Sequence, residues 1–465
     1  MLDSRNFKVA KLLISLISIS LFSGLVAAPT VVSRQPLQWD WSTIDTSEVQ
    51  FEPAFGWGAA TSAYQIEGDQ TAHGKKIKNS WTESAIAPKA GIAAGHWDRF
   101  REDVQLIKQA GLTEYRFSIK WSAIEPEPGV FDEDAMQHYI DLVDELNANG
   151  ITPFVMLFHH TWPVWFGNVG DFQKKENIPH FTKFADYVFN KLNGKVKMWM
   201  TFNEPSGYCL EAYFRGKYPP YAKSLRKAGK ALKNMIDAHA AIYHHFKEKD
   251  PTSKIGFAQM MVPLDPYPTG NPFKKLVSWI GCSYFGPMQN TAVLDYFRTG
   301  KFDWGFRLHG RVKGKNKFVK GAIDFVGVNY YSHVMLEGSK HKSLPDRPTS
   351  DNGKGVYPEG LLRSIELCAQ HLPGVPMWIG ENGICDASDT KRDDYFKKHL
   401  WVTWYAKQLG YDIRGYHVWT LMDSFNWNTG FANKYGIYKV DFNTYERTLR
   451  DGAKSLITLA KNGRY

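Results

Sequence analysis

Eight short apolar runs punctuate the chain, and a longer amphipathic stretch separates each from the next. The runs fall at 55–60, 114–119, 152–158, 196–202, 254–260, 323–329, 376–380 and 414–420. Each is of strand length and rich in β-branched, aromatic and small residues, whereas the intervening segments carry helical periodicity. In 98–109, Phe100, Val104 and Ile107 share one face and Gly111 follows; in 134–147, Ile140, Val143 and Leu146 do the same before Gly150. Strands joined through helices must run parallel, and a parallel sheet is buried on both faces. Eight such units predict an α/β fold, a (β/α)8 TIM barrel, in one domain with long βα loops. An open doubly wound sheet is the alternative, but no Gly-x-Gly-x-x-Gly turn accompanies a strand. Segments 262–322 and 333–360 hold Pro, Gly and charge and read as long loops over one barrel face.

Ahead of the barrel stand two different segments. Lys8 and Lys11 precede an apolar stretch over 12–28 that is broken by serines and ends in small residues, so 1–28 reads as a signal peptide. An uncleaved anchor is the alternative, although the stretch is short of the ~20 residues a span needs. This reading puts the mature protein in the secreted or periplasmic space, with no membrane association after cleavage. Residues 29–50 read as a linker or arm, and 51–465 as the barrel.

Composition excludes more than it assigns. The formal charge is +10, yet the densest basic stretch, 311–320, reads as a solvated loop, so no nucleic-acid partner is expected. Cys209, Cys282, Cys368 and Cys385 fit no zinc or redox spacing. Aromatic residues make up 15% of the chain, and their flat faces suit sugar rings as well as cores.

Two carboxylates carry the chemistry. Glu204 and Glu381 each close an apolar run, Val-Lys-Met-Trp-Met before Thr-Phe-Asn-Glu-Pro and Val-Pro-Met-Trp-Ile before Gly-Glu-Asn-Gly. A charge at the end of a buried strand needs a partner or a purpose. At the carboxyl ends of two barrel strands, the pair would face one cleft, as glycoside hydrolysis requires. Other polar residues sit at the same level: Gln65 and Glu67, His159 and His160, Asn203, Asn329 and Tyr331, Asn382, and 419–427.

From about Phe51 to Gly463 the chain resembles family 1 of the glycoside hydrolases, retaining β-glucosidases and β-galactosidases. The resemblance rests on Phe-Gly-Trp-Gly-Ala-Ala-Thr-Ser-Ala-Tyr-Gln-Ile-Glu-Gly at 55–68, Tyr-Arg-Phe-Ser-Ile-Lys-Trp-Ser at 115–122, Thr-Phe-Asn-Glu-Pro at 201–205, Gly-Val-Asn-Tyr-Tyr at 327–331 and Gly-Glu-Asn-Gly at 380–383. It implies an exo-acting β-glycosidase that removes a terminal sugar from a small β-glycoside or oligosaccharide through a covalent glycosyl-enzyme, without a cofactor or metal. Glu381 matches the nucleophile and Glu204 the acid/base. Tyr331 matches the phenol bonded to the nucleophile, and Arg116 a buried arginine that keeps it ionised. Asn203 matches the residue that holds the sugar 2-hydroxyl; Gln65, His159, Trp419 and Trp427 match sugar-binding positions.

Two positions depart from the family pattern. His160 stands where Trp usually follows the sugar-binding His. Asn426 stands where a Glu usually holds the 4- and 6-hydroxyls, in Trp-Thr-Leu-Met-Asp-Ser-Phe-Asn-Trp at 419–427. The second departure leaves room for a glycon altered at C4 or C6. The alternative functions are a non-catalytic carbohydrate-binding relative and a 6-phospho-β-glycosidase. The latter subgroup carries Ser in place of that Glu and a Lys before Arg-Tyr-Gly, whereas this chain reads Asn433-Lys434-Tyr435-Gly436.

Overall fold

The structure is a computed structural model, and it describes residues 36–69, 76–307 and 309–465. The expected signal segment, 1–28, lies outside the described residues. Eight parallel strands close into a barrel: β1 (Gly56–Ala60), β2 (Glu114–Ser118), β3 (Thr152–Phe158), β4 (Met198–Asn203), β5 (Lys254–Met260), β6 (Phe325–Asn329), β7 (Met377–Asn382) and β8 (Ile413–Trp419). Each strand pairs with its neighbours in sequence, and β8 closes on β1 with Gly56 opposite Gly415 and Ala60 opposite Trp419. The eight apolar runs are thus the eight barrel strands, and the fold is the (β/α)8 barrel that their alternation predicts.

The helices that follow the strands are α1 (His96–Gln109), α2 (Glu133–Ala148), α3 (Ile178–Leu192), α4 (Leu225–Lys249), α5 (Ala292–Thr299), α6 (Glu359–His371), α7 (Arg392–Gln408) and α8 (Lys454–Asn462). Local chemistry sets their starts. Asp132 caps α2 by accepting from the Ala135 amide at 2.9 Å, and the Ser224 hydroxyl does the same for α4 at Lys227. The outward strand faces and the inward helix stripes form one continuous core.

Inside the barrel lies a separate small core of Phe154, Met156, Met200, Ala258, Phe325 and Trp378. Below the site, His417 and the Trp378 indole share the Glu114 carboxylate at 2.7 and 3.1 Å. The lumen is therefore packed, and only its carboxyl end is left for chemistry.

The two long segments read as loops contain regular structure. The first holds a helix over Pro272–Asn290, then α5, then a hairpin of Lys301–Phe306 and His309–Lys315. Its helix starts where Asn271 accepts from the Lys274 amide at 3.0 Å and Pro272 occupies the first turn, a standard start signal. Strand Leu264–Pro266 and the second segment, through Val334–Glu337 and Lys340–Lys342, build a three-stranded sheet. Pro and Gly here cap elements rather than fill loops. Part of the basic stretch 311–320 is likewise a strand, with Arg311 paired to Asp303 across the hairpin.

Upstream of β1, residues 36–49 lie against α6 and α7. Trp39 and Trp41 meet Trp401 edge-on, and the Trp39 amide and Trp41 indole both donate to the buried Glu359 carboxylate. All four cysteines are buried and free.

Arg392, at the start of α7, ties together the loops after β7 and β8. Fully buried, it donates to the carbonyls of Ile384, Asp386, Lys434 and Tyr435 and pairs with Asp389 at 2.8 Å. Arg392→Met would leave these acceptors unpaired in the interior, a loss of roughly 3–5 kcal/mol. Urea denaturation should show a loss of that size; a midpoint within error of wild type would contradict this role.

Candidate active site

Strand alternation alone does not deliver the two carboxylates. On β4, Trp199 and Thr201 face the helices and Met200 the lumen, so Phe202 should point inward and Asn203 outward. The register against β5 slips between Met200 and Asn203. Phe202 instead packs on Phe172 and Phe181, and Asn203 enters the lumen. On β7, Trp378 faces the lumen and Ile379 the helices. The register against β6 slips between Ile379 and Glu381, which turns Glu381 inward and Asn382 outward to Tyr395 and Tyr416. Both irregularities behave as β-bulges, which re-aim a side chain at a barrel rim. Gly380 permits the second: a Cβ there would stand 2.7 Å from Asn329 Oδ1.

Glu381 is 3% exposed and is held from two sides. Arg116 Nη2 donates to Oε1, and the Tyr331 hydroxyl donates to Oε2. Arg116 Nη1 also donates to Asn203 Oδ1 at 3.0 Å. A guanidinium with no access to solvent requires a carboxylate beside it, and Glu381 supplies it. Burial first, then the neighbouring Glu381 charge, drives the Tyr331 phenol far above its ordinary range, so it stays a donor.

Glu204 occupies a different environment. It follows β4 in a left-handed backbone conformation, φ 48°, and opens the helical turn Pro205–Cys209. Its amide donates to the Ala258 carbonyl, and Oε1 accepts from Asn329 Nδ2 at 2.9 Å. Its pKa is pushed up to about 8, chiefly by burial and then by the Glu381 charge, against the opposing pull of the Asn329 hydrogen bond. Near neutral pH, the Glu204 carboxyl therefore keeps its proton.

Of the remaining predicted residues, Asn203, His159, Trp419 and Trp427 form a chain of contacts leading from this pair, while Gln65 and Asn426 bond to the segment after β8. Asn203 Nδ2 donates to His159 Nε2 at 2.9 Å, which puts the imidazole hydrogen on Nδ1. Burial, reinforced by His160 and Arg116, keeps that ring neutral, and its Nδ1 has no partner among the described residues. Trp419 and Trp427 lie 5.9 and 6.0 Å from the His159 ring, centroid to centroid. Trp427 in turn stacks on Tyr64 and contacts Trp81. Gln65 is held at both ends of its amide, accepting from Ser62 Oγ and donating to the Phe425 carbonyl, each at 2.7 Å. Asn426 turns its NH2 group to the carbonyls of Ser424 and Asn433, both at 3.1 Å, and so spends its donors on its own loop.

His160 sits on the outer side of this cluster. Its Nε2 donates to the Asn203 carbonyl at 3.2 Å, its ring stacks on Tyr208, and burial lowers its pKa to about 3. Sequence reasoning placed Asn329 at a strand end without tying it to Glu204; the bond depends on β6 and β4 both flanking β5. Lys354 was missed altogether. Its ammonium lies 5.0 Å above the Tyr331 ring, and it comes from the segment read as loop.

The comparisons fit this geometry. Residues 47–464 match the model for "Glycosyl hydrolase family 1". The chain is 28% identical to Beta-glucosidase A of Thermotoga maritima, with 89% of this chain and 98% of that one covered. It is also 28% identical to a 6-phospho-beta-galactosidase of Clostridium acetobutylicum, covering 87% and 95%. Among solved structures, a beta-glycosidase from Pyrococcus horikoshii superposes with a TM-score of 0.80 at 30% identity, covering 90% and 96%. The Thermotoga maritima beta-glucosidase in complex with deoxynojirimycin gives 0.80 at 27%, covering 90% and 100%. A closed eight-stranded barrel, a family model spanning nearly the whole chain and two carboxyl groups at the barrel's carboxyl end lead to one assignment: the chain belongs to glycosyl hydrolase family 1 and is a glycoside hydrolase.

Proposed function

We propose that the protein is a retaining, exo-acting β-glycosidase in which Glu381 is the nucleophile and Glu204 the acid/base. The observation that carries this reading is the unequal setting of the two carboxyls. Glu381, paired with Arg116, offers a charged oxygen to the anomeric carbon. Glu204, protonated near neutral pH, gives its proton to the departing glycosidic oxygen. The bond to Glu381 forms as the bond to the aglycone breaks. Forming that ester removes the Glu381 charge, which lowers the pKa of Glu204, so that after giving its proton to the aglycone it stays ionised and can take one from water in the second step. Asn203, fixed by Arg116 and Asn329, leaves His159 and itself oriented toward the sugar hydroxyls. The chemistry that this scheme asks of each residue argues against the non-catalytic reading, because burying Glu204 and Glu381 together without use would only cost stability.

The glycon is the open choice in this site. A Glu at position 426 would present a charged acceptor to two hydroxyls, and charged hydrogen bonds are worth roughly 1.5–3 kcal/mol. Asn426 has a single carbonyl oxygen to offer, since its NH2 is engaged by the loop. That favours a glycon altered at C4 or C6, such as a deoxy sugar, a uronate or a pentose, over ordinary glucose. A 6-phosphate has less support, because the Lys434 ammonium is engaged over the Phe442 ring at 4.6 Å. We further infer that Lys8, Lys11 and the apolar stretch after them export the enzyme.

Glu381→Gln should lower turnover of an aryl β-glycoside by about four orders of magnitude or more, since an amide cannot act as the nucleophile. In wild type, kcat/KM should fall as pH rises through about 8, where Glu204 loses its proton. In Glu381→Gln the Glu204 titration, followed by carbon-13 NMR, should move to lower pH because a neighbouring negative charge is gone. An unchanged Glu204 titration would contradict the coupling.

Asn426→Glu should raise kcat/KM for the β-glucoside about tenfold or more relative to the β-xyloside and β-fucoside, the equivalent of one charged hydrogen bond. A wild type that already prefers glucoside by about two orders of magnitude, with no change on substitution, would end the altered-glycon reading.

A further inference from the structure

The turn at 349–355, between β6 and α6, is held from three sides. Thr349 and Gly355 close it as a bridge, and the Ser332 hydroxyl, just beyond β6, donates to the Gly355 carbonyl at 2.7 Å. The Asp351 amide donates to the Cys385 carbonyl at 2.9 Å, in the segment after β7. Asn352 Nδ2 donates to the Tyr435 hydroxyl at 2.7 Å, in the segment after β8. The one carboxylate of the turn is engaged too: Asp351 accepts from the Ala387 amide at 2.7 Å and from Lys391 at 3.1 Å.

Lys354 stands apart from this framework. It is exposed, and among the described residues no carboxylate lies within ion-pair distance of it. Its ammonium sits instead 5.0 Å from the centre of the Tyr331 ring. A cation over an aromatic face is held in place yet keeps its charge. The ring beneath it is the one whose hydroxyl donates to Glu381. After burial, the Glu381 charge, the Asn329 hydrogen bond and Arg116, Lys354 also acts on Glu204, drawing its pKa down. A fixed turn thus presents an unpaired cation close to both carboxyls.

Burial says which part of a substrate this cation meets. His159, Glu204 and Glu381 are buried and mark the floor of the site, whereas Lys354 is exposed and marks its mouth. An exo-acting enzyme takes the terminal sugar onto the floor, so the aglycone points to the mouth, and the glycosidic oxygen between them faces the acid/base. We propose that Lys354 is a specificity-determining residue that selects an aglycone carrying an anionic group, a carboxylate, sulfate or phosphate, near the glycosidic bond; this choice of substrate rests on the roles proposed for Glu204 and Glu381. The ammonium is a compact charge with three donors and serves any of these oxyanions. The anchored turn holds the backbone of Lys354 in place before the substrate arrives, which lowers the ordering cost of binding.

The test uses two aryl β-glycosides of one sugar, 3-carboxyphenyl and 3-carbamoylphenyl, which differ in charge and little in shape. The sugar is whichever of glucose, xylose and fucose the wild type turns over fastest. The amide is the better leaving phenol, so a preference for the carboxylate cannot come from leaving-group acidity. In wild type at low salt, kcat/KM should favour the carboxylate by about fivefold or more, chiefly through KM, and salt should shrink the preference. Lys354→Met should bring the ratio to about one or below, and Lys354→Arg, which keeps the charge, should restore the preference. Should the methionine variant not fold, Lys354→Gln gives the same reading. Any influence of Lys354 exerted through Glu204 falls on both substrates alike and cancels in the ratio. A wild type without preference for the carboxylate, or a preference unchanged in a folded uncharged variant, would overturn the proposal and leave the catalytic roles standing. Turnover of neither glycoside would instead overturn the catalytic roles, and the aglycone choice with them.

Discussion

A guanidinium buried at the top of the barrel sets the terms for everything around it. Arg116 has no solvent contact, and leaving it unpaired would cost several kcal/mol. Its charge is met by Glu381, and one of its remaining hydrogens goes to Asn203. These two contacts fix the neighbours in turn. Asn203, with its oxygen turned to Arg116 and Asn329, must turn its NH2 to His159, and that decides the histidine tautomer. Asn329, having given one bond to Asn203, gives another to Glu204. Six polar side chains drawn from five strands or strand ends thus reach one arrangement because one cation requires it.

The same cation explains why the two carboxyls are not interchangeable. Coulomb interaction falls with distance and is strong in a buried site, so the group in direct contact with Arg116 keeps the negative charge. The second carboxyl, facing that charge and largely out of water, keeps its proton. Swapping their identities would require moving Arg116 from β2, which the barrel register fixes opposite Ala60 and Phe154. Below this layer the lumen repeats the theme with less at stake, for the Glu114 carboxylate is satisfied by His417 and Trp378.

Much of the architecture was legible because it rests on period and composition. Eight apolar runs with amphipathic segments between them give a parallel closed sheet, and a charge at the end of a buried run marks Glu204 and Glu381. What was not legible depends on geometry that leaves little trace in sequence. The slips at 200–203 and 379–381 invert side-chain direction, and Gly380 is their sole visible hint. The segments 262–322 and 333–360 were misread because Pro and Gly were taken as loop formers, when Asn271 and Pro272 begin a helix and Gly338 makes a tight turn. The engagement of the Asn426 amide by Ser424 and Asn433 lies within one loop, yet no pattern announces which polar side chain will serve the backbone and which the ligand.

The loop after β8 can change without the barrel changing. Asn426 closes a short bridge with Gly430, its amide donating to the Gly430 carbonyl at 2.7 Å, while its side chain draws the chain at 433 inward. A carboxylate at this position could not donate to either carbonyl, and would be repelled by both oxygens. It would have to turn away from its own loop, toward whatever donors the pocket or the sugar provides. Asn and Glu at this position therefore differ in direction as well as in charge. One stabilises the loop that frames the sugar pocket, and the other makes a ligand contact at the loop's expense. Arg392 supplies the compensating rigidity from outside, by holding the carbonyls of Lys434 and Tyr435. Specificity at the strand-eight rim is thus a partition of a few hydrogen bonds between loop and sugar, set on a barrel whose own requirements are met elsewhere.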